Sequence, residues 1–171
     1  VYKNYKILEN KKKINSIFFK KFNIEEVDLL DNNLFINKEI VGKNLFDENY
    51  FLFFETFDFV HQLKLKGEKL FTIKKIKFKH FSSSSLPKRL DNLVKKTRAF
   101  HYNWSKFYFL KKNFGYFHAL GKVFPNIIRC FKKVTINLLK LKFKEVYLNL
   151  LELYGLIVSI FLLKSFYRPK N

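Results

Sequence analysis

Three observations place this 171-residue sequence in the α/β class. Ahead of residue 85, short apolar runs are separated by turn signals. In one of them Ile76, Phe78 and His80 alternate with Lys75, Lys77 and Lys79, the period-2 signature of a strand. Second, Phe54, Phe57, Val60 and Leu63 recur at helical spacing. Third, beyond the serines at 82–85 and Pro87 the pattern is helical to the end. The expected organisation is strands with a helix over 1–85 and helices alone over 86–171.

Taken in order, residues 1–24 are lysine-rich around an apolar cluster at Ile17, Phe18 and Phe19. They predict a poorly defined segment or a short helix. Apolar residues at 27, 29, 30, 34, 35 and 36 predict a buried strand, broken near Asn32 and Asn33, with a helical turn following over 38–42. The helix over 54–66 is expected to end at Gly67, in the left-handed conformation that glycine takes cheaply. Residues 69–81 predict two short strands. Helices are then expected over 89–112, 115–122, 124–141 and 143–165. Gly115 and Gly121 mark breaks, and Pro125 suits the first turn of the third.

Net charge is +20, from 34 Lys plus Arg against 14 Asp plus Glu, which implies a polyanionic neighbour: nucleic acid or an anionic membrane surface. Abundant Lys, Phe, Asn and Ile with scarce Gly and Pro is also what AT-rich coding favours, which weakens that inference. The single cysteine, Cys130, excludes an intrachain disulfide and reads as a buried apolar residue in a helix. Lys3, Lys6 and Lys11 to Lys13 interrupt any apolar core of the kind a signal peptide needs. The most apolar run, 150–163, contains Glu152 and falls short of the roughly 20 residues of a spanning helix, so it predicts a buried or interfacial helix. A sequence beginning at Val1 and lacking Met reads as a piece of a longer chain.

The chemistry concentrates in 46–59, where Asp47, Glu48, Glu55 and Asp58 stand among six phenylalanines. Glu55 and Asp58 share a helix face, with Gln62 one turn on. Two carboxylates held near an apolar wall can have their pKa values pushed apart, as acid/base work requires. Acids favoured by the dipole at a surface helix start are the other reading. His80, at a strand end before the serine loop, is either a packing residue or a metal or phosphate contact. His101, Trp104, Phe107, Tyr108 and Lys111 share one helical face, which either stacks bases or packs on the domain under snorkelling lysines. Residues 124–145 carry Arg129, Lys132, Lys133, Lys140, Lys142 and Lys144 among Ile, Phe and Leu. That pattern suits a basic amphipathic helix on an anionic membrane, or a solvated helical face. No P-loop, G-x-G-x-x-G or H-E-x-x-H is present.

The run NNLFINKEIVGKNLFDENYFLFFETFDFVHQLKLKGEKLFTIKKIKFKHFSSSS, residues 32–85, resembles the C-terminal half of the catalytic domain of family 2 glycosyltransferases. Their pattern is roughly F-D-E-x-F-F-x-Y-x-E-D-x-D-L-x-x-R, a glycine, then a strand ending in His before a Gly- or Ser-rich turn. The segment from Arg98-Ala99-Phe100-His101-Tyr102-Asn103-Trp104 through Tyr167-Arg168-Pro169 is similar to the helical tail of rhamnosyltransferase-like bacterial members. The resemblance spans about 25–171.

It implies the C-terminal half of a GT-A (Rossmann-like) domain over 1–85, the acceptor side, followed by a helical region over 86–171. It implies acceptor-binding roles for Asp47, Glu48 and Trp104. Glu55 matches the glutamate of the E-D pair, whose aspartate is the family's usual general base. Thr56 stands at that aspartate and cannot be a base, so the resemblance leaves Glu55 or Asp58 as the catalytic carboxylate. Gln62 replaces the usual arginine, and His80 matches a histidine that helps hold metal or diphosphate. The family's nucleotide-binding strands and D-x-D motif are not found, so this fragment alone is expected to be inactive.

The implied activity is transfer of a sugar from a nucleotide-sugar donor to a glycan or lipid-linked acceptor in cell-surface polysaccharide synthesis. A divalent metal, Mg or Mn, would serve in the full-length enzyme. The expected location is cytoplasmic and peripheral to the inner membrane, against anionic lipid. The alternative is a basic RNA-binding protein of ribosomal or organellar type. It accounts for the charge but not for four acids among phenylalanines, since carboxylates repel phosphate. A membrane-associated scaffold is a third option.

Overall fold

The computed structural model describes residues 2–9, 21–28, 34–41, 46–79 and 87–168. The chain divides into two compact units: Val1–Asp47 with Glu55–Ser84, and Glu48–Phe54 with Ser85–Asn171. The fold class is α/β, with the strands in the first unit and the three long helices in the second.

The first unit is built on strands β1 (Tyr2–Glu9), β2 (Ile24–Glu26), β3 (Leu34–Phe35) and β4 (Lys69–Lys79), in the order β2-β4-β1-β3. β4 pairs antiparallel with β1 and β2, while β1 and β3 pair in parallel. A doubly wound sheet is built mainly from parallel pairs, so this sheet is mixed. Helices α1 (Lys38–Val41) and α2 (Glu55–Leu65) complete the unit. Leu70 on β4 packs with Phe59, Val60 and Leu63 on α2 and with Val41, while Phe71 and Ile73 join Ile24 in a separate cluster. The strand period of 2 explains that division of neighbouring side chains.

Several expectations for this half change. Residues 2–9, expected to be poorly defined or helical, are a strand, because pairing to β4 supplies backbone hydrogen bonds that local sequence does not announce. The strand expected over 27–37 falls partly on 29–33, outside the described residues; what forms is β3, with β2 just ahead of it. Residues 69–79 are one strand rather than two. Pairing steps from Tyr5↔Ile73 to Asn4↔Lys77, so β4 absorbs an irregularity without breaking. The apolar stripe of α2 also shifts, burying Phe59 rather than Phe57. Gly67 does end that helix at φ +80°, with the Gly67 amide on Lys64 O and the Glu68 amide on Leu63 O.

The second unit opens with a 3-10 turn (Lys88–Leu90) and continues as α3 (Asp91–Phe114), α4 (Tyr116–Leu139) and α5 (Phe143–Ile160). Phe107, Ala119, Val123 and Leu156 bring all three helices into one core, and Phe100, Trp104 and Val158 form a second α3–α5 cluster. Burying side chains of this size is worth about 1.5–3 kcal/mol each. The helices expected over 115–122 and 124–141 are one helix. Pro125 lacks the N–H of a normal helical residue, yet α4 runs through it. Ala119, Val123 and Cys130 on one side of it are fully buried. That packing outweighs one lost hydrogen bond. α5 stops at Ile160, short of 165, and buries Leu151, Leu153, Leu156 and Val158. Among the described residues no helix is long and apolar enough to cross a membrane.

Candidate functional site

The acidic, aromatic stretch that stood out in the sequence contributes residues to both units. Glu48–Phe54 belongs to the helical unit and lies along α3 as a strap. Tyr50 meets Tyr108 edge-on at 5.0 Å between ring centroids, and Phe51 meets His101 at 4.7 Å. Phe53 and Phe54 both contact Tyr102, at 5.5 and 5.6 Å, and Phe54 also reaches Phe109. The Ser105 hydroxyl donates to Leu52 O at 2.8 Å. Phe53 and Phe54 sit consecutively in the left-handed region, at φ +67° and +65°. Such a conformation costs a bulky residue about 1–2 kcal/mol. Ring contacts worth about 0.5–1.5 kcal/mol each beyond their burial offset it.

The strap, α3 and the segment after α5 enclose a cavity of about 580 Å³. Glu48, Trp104, Lys111, Lys164, Ser165 and Arg168 are among its lining residues. The Trp104 wall is fixed. Its indole N–H donates to Leu163 O at 3.0 Å, its ring stacks on Tyr108 at 5.0 Å and 16°, and Ser159 donates to its carbonyl at 3.0 Å. The Arg168 guanidinium lies 3.5 Å from the centre of the Phe51 ring and donates to the carbonyls of Ser165 (2.9 Å) and Tyr167 (2.8 Å). Lys111 Nζ stands 5.8 Å from the Tyr108 ring centre.

Beneath this wall His101 is fully buried. Its Nε2 lies 2.8 Å from Tyr167 O, which can only accept, and 3.4 Å from Arg168 Nη1, which can only donate; the shorter contact assigns the proton to Nε2. Nδ1 therefore accepts from the Ser165 hydroxyl at 2.8 Å. Burial lowers the imidazole pKa, and the Arg168 charge adds to that, against the raising effect of the Tyr167 hydrogen bond. His101 is thus a neutral clamp on residues 165–168. Cys130 is equally inert: burial and the neighbouring Glu152 carboxylate push its thiol up to about 11.

Of the residues singled out in the sequence, Glu48 and Trp104 line this one cavity. Asp47 belongs to the first unit. So do Glu55 and Asp58, one turn apart on α2. Asp58 is buried, and Oε2 of Glu55 is buried with no hydrogen-bond partner among the described residues. His80 lies outside the described residues. Among the described residues no three His, Cys, Asp or Glu side chains group as a metal site would require. The sequence did not single out Lys164, Ser165 or Arg168 as site residues. The only local signal for them was a basic, aromatic tail.

Comparison with protein-family models, with curated proteins and with solved structures finds no match to this chain.

Proposed function

We propose that this chain is the acceptor-side part of a family 2 glycosyltransferase that moves a sugar from a nucleotide-sugar donor to a glycan or lipid-linked acceptor. The transferase class and the GT-A assignment rest on the sequence resemblance over 25–171. The observation that carries the acceptor role is the cavity joining Glu48 to Trp104, residues far apart in sequence that the resemblance pairs as acceptor-binding. Its lining holds Lys111, Lys164 and Arg168 against Glu48 alone. That balance favours an acceptor bearing phosphate, as a lipid-linked one does, over a neutral glycan. Trp104, Tyr108 and Tyr50 supply rings against which a sugar face can lie.

The reaction then needs a base for the acceptor hydroxyl. Its assignment rests on the resemblance and not on the cavity: as Thr56 cannot serve, Glu55 or Asp58 takes the proton, the freed oxygen attacks the anomeric carbon, and the nucleoside diphosphate departs with inversion. The unpartnered Oε2 of Glu55 supports its candidacy, because a buried acceptor left without a donor costs about 1–3 kcal/mol and has capacity for a substrate hydroxyl.

Two measurements test this. Sugar transfer by the full-length enzyme should fall by two orders of magnitude or more, ~100-fold, in either Glu55→Gln or Asp58→Asn; full activity in both variants overturns the base assignment. Titration of this chain with a pyrophosphate-linked sugar should show binding that weakens in Lys111→Ala and Lys164→Ala. Equal, salt-steep binding of any RNA, insensitive to both substitutions, would favour the RNA-binding reading instead.

A further inference from the structure

Among the described residues, one face of α4 is left exposed. Phe117 is 85% exposed, Phe124 and Phe131 57% each, and Ile128, Leu138 and Leu139 are exposed with them. The apolar surface continues through the turn after the helix, at Leu141 (72%) and Phe143 (65%). Scattered exposed apolar residues are ordinary; a continuous run of this size along one helix marks a contact surface.

The charges around it choose the partner. Between residues 116 and 144 the chain carries Lys122, Arg129, Lys132, Lys133, Lys140, Lys142 and Lys144, and no Asp or Glu. All but Lys133, which pairs with Glu152 at 3.4 Å, are exposed. A second copy of the same face would bring like charges together with no carboxylate to answer them. Nucleic acid would satisfy the cations and could stack on the phenylalanines, but would leave Ile128, Leu138, Leu139 and Leu141 in water. An anionic lipid surface satisfies both, with rings and aliphatic chains at the acyl boundary and lysines reaching the headgroups.

Backbone geometry agrees. Leu141 occupies the left-handed position of the turn that ends α4, at φ +53°, with the Lys142 amide on Asn137 O at 2.9 Å and the Leu141 amide on Leu138 O at 2.9 Å. Glycine is the relaxed choice there. A strained leucine that is mostly exposed keeps an apolar side chain at the end of the stripe.

We infer that the exposed face of α4 and the following turn, from Phe117 to Phe143, dock this protein on an anionic membrane surface. The docking stands apart from the cavity and from the transferase reading. Its test is co-sedimentation of the full chain with phosphatidylcholine vesicles, with and without phosphatidylglycerol. Binding is expected only with the anionic lipid and should weaken with added salt. The double variant Phe124→Ser, Phe131→Ser and the double variant Lys122→Glu, Lys132→Glu should each lose about tenfold in vesicle affinity. Both change exposed side chains and should leave the thermal unfolding curve in place. Equal binding to neutral vesicles, unchanged binding by either double variant, or no vesicle binding alongside a dimer that the phenylalanine variant dissociates would each overturn the inference.

Discussion

Gly155 on α5 faces the backbone carbonyl of Phe100 on α3 so closely that a Cβ added to it would lie 2.2 Å from the carbonyl oxygen. The obstacle is backbone rather than the free end of a side chain, so a methyl group forces the two helices apart. Phe100, Trp104 and Val158 pack in that same interface. Gly155→Ala is therefore expected to lower stability by about 3 kcal/mol, read as a fall in the urea midpoint. Gly121→Ala provides the comparison. Gly121 lies within α4 with an ordinary helical φ and open space around its Cβ position, so the change is expected to leave stability unchanged or raise it by up to about 1 kcal/mol. Equal effects at the two glycines would show that the α3–α5 approach is not tight.

His101 predicts a pH dependence of stability. Its pKa in the folded chain is lowered below the ordinary 6.5, so the unfolded chain binds the proton more readily. The sign follows from linkage. The stabilisation is fully present above the unfolded value of about 6.5 and is lost as pH falls through the lower, folded value. Protonation would also turn Nδ1 from an acceptor of the Ser165 hydroxyl into a donor. Unfolding free energy measured from pH 8 down to pH 5 should decline for the native chain and decline less for His101→Gln. Parallel curves would rule out His101 as the source.

The uneven legibility of this fold has a physical pattern. Signals local in sequence were readable: a helix at α2 with the glycine that ends it, and extended chain at β4, although the buried stripe of α2 is shifted and β4 is one strand rather than two. Features fixed by distant partners were not. β1 is a strand because β4 and β3 pair with it, and its lysines hide the pattern. α4 crosses Gly121 and Pro125 because of what it packs against, which neither residue reveals. The site divides in the same way. Glu48 and Trp104 came from motif positions, whereas the His101–Ser165 bond and the Arg168–Phe51 contact join positions remote in the chain, and no spacing rule reaches them.

Cys130 should resist alkylation in the folded chain. It is fully buried, its Sγ lies 3.6 Å from Glu152 Oε2, and its thiol is held up to about 11. At neutral pH only about one thiol in 10⁴ would be ionised. Iodoacetamide labelling followed by intact mass should show negligible modification under native conditions and complete modification in denaturant. Replacing Glu152 with Gln removes the carboxylate, the second of the two main effects raising the thiol pKa, and should quicken native labelling modestly while burial still limits it. Fast labelling of the native chain would contradict the packing of α4 described above.

Leu141→Gly separates stability from surface function within one residue. The left-handed backbone at φ +53° costs a leucine about 1–2 kcal/mol that glycine does not incur. The two hydrogen bonds that close the turn, from the Leu141 and Lys142 amides, are backbone bonds and survive the change. Because the side chain is mostly exposed, little buried packing is lost. The substitution is therefore expected to raise unfolding free energy by about 1 kcal/mol. If the α4 face meets a membrane, the same change removes an apolar contact at the end of the stripe, and affinity for anionic vesicles should fall. The two readouts move in opposite directions. A gain in stability with unchanged vesicle binding would leave Leu141 as mere strain and remove it from the docking surface. A loss of stability would mean that the leucine side chain packs in a way its exposure does not indicate.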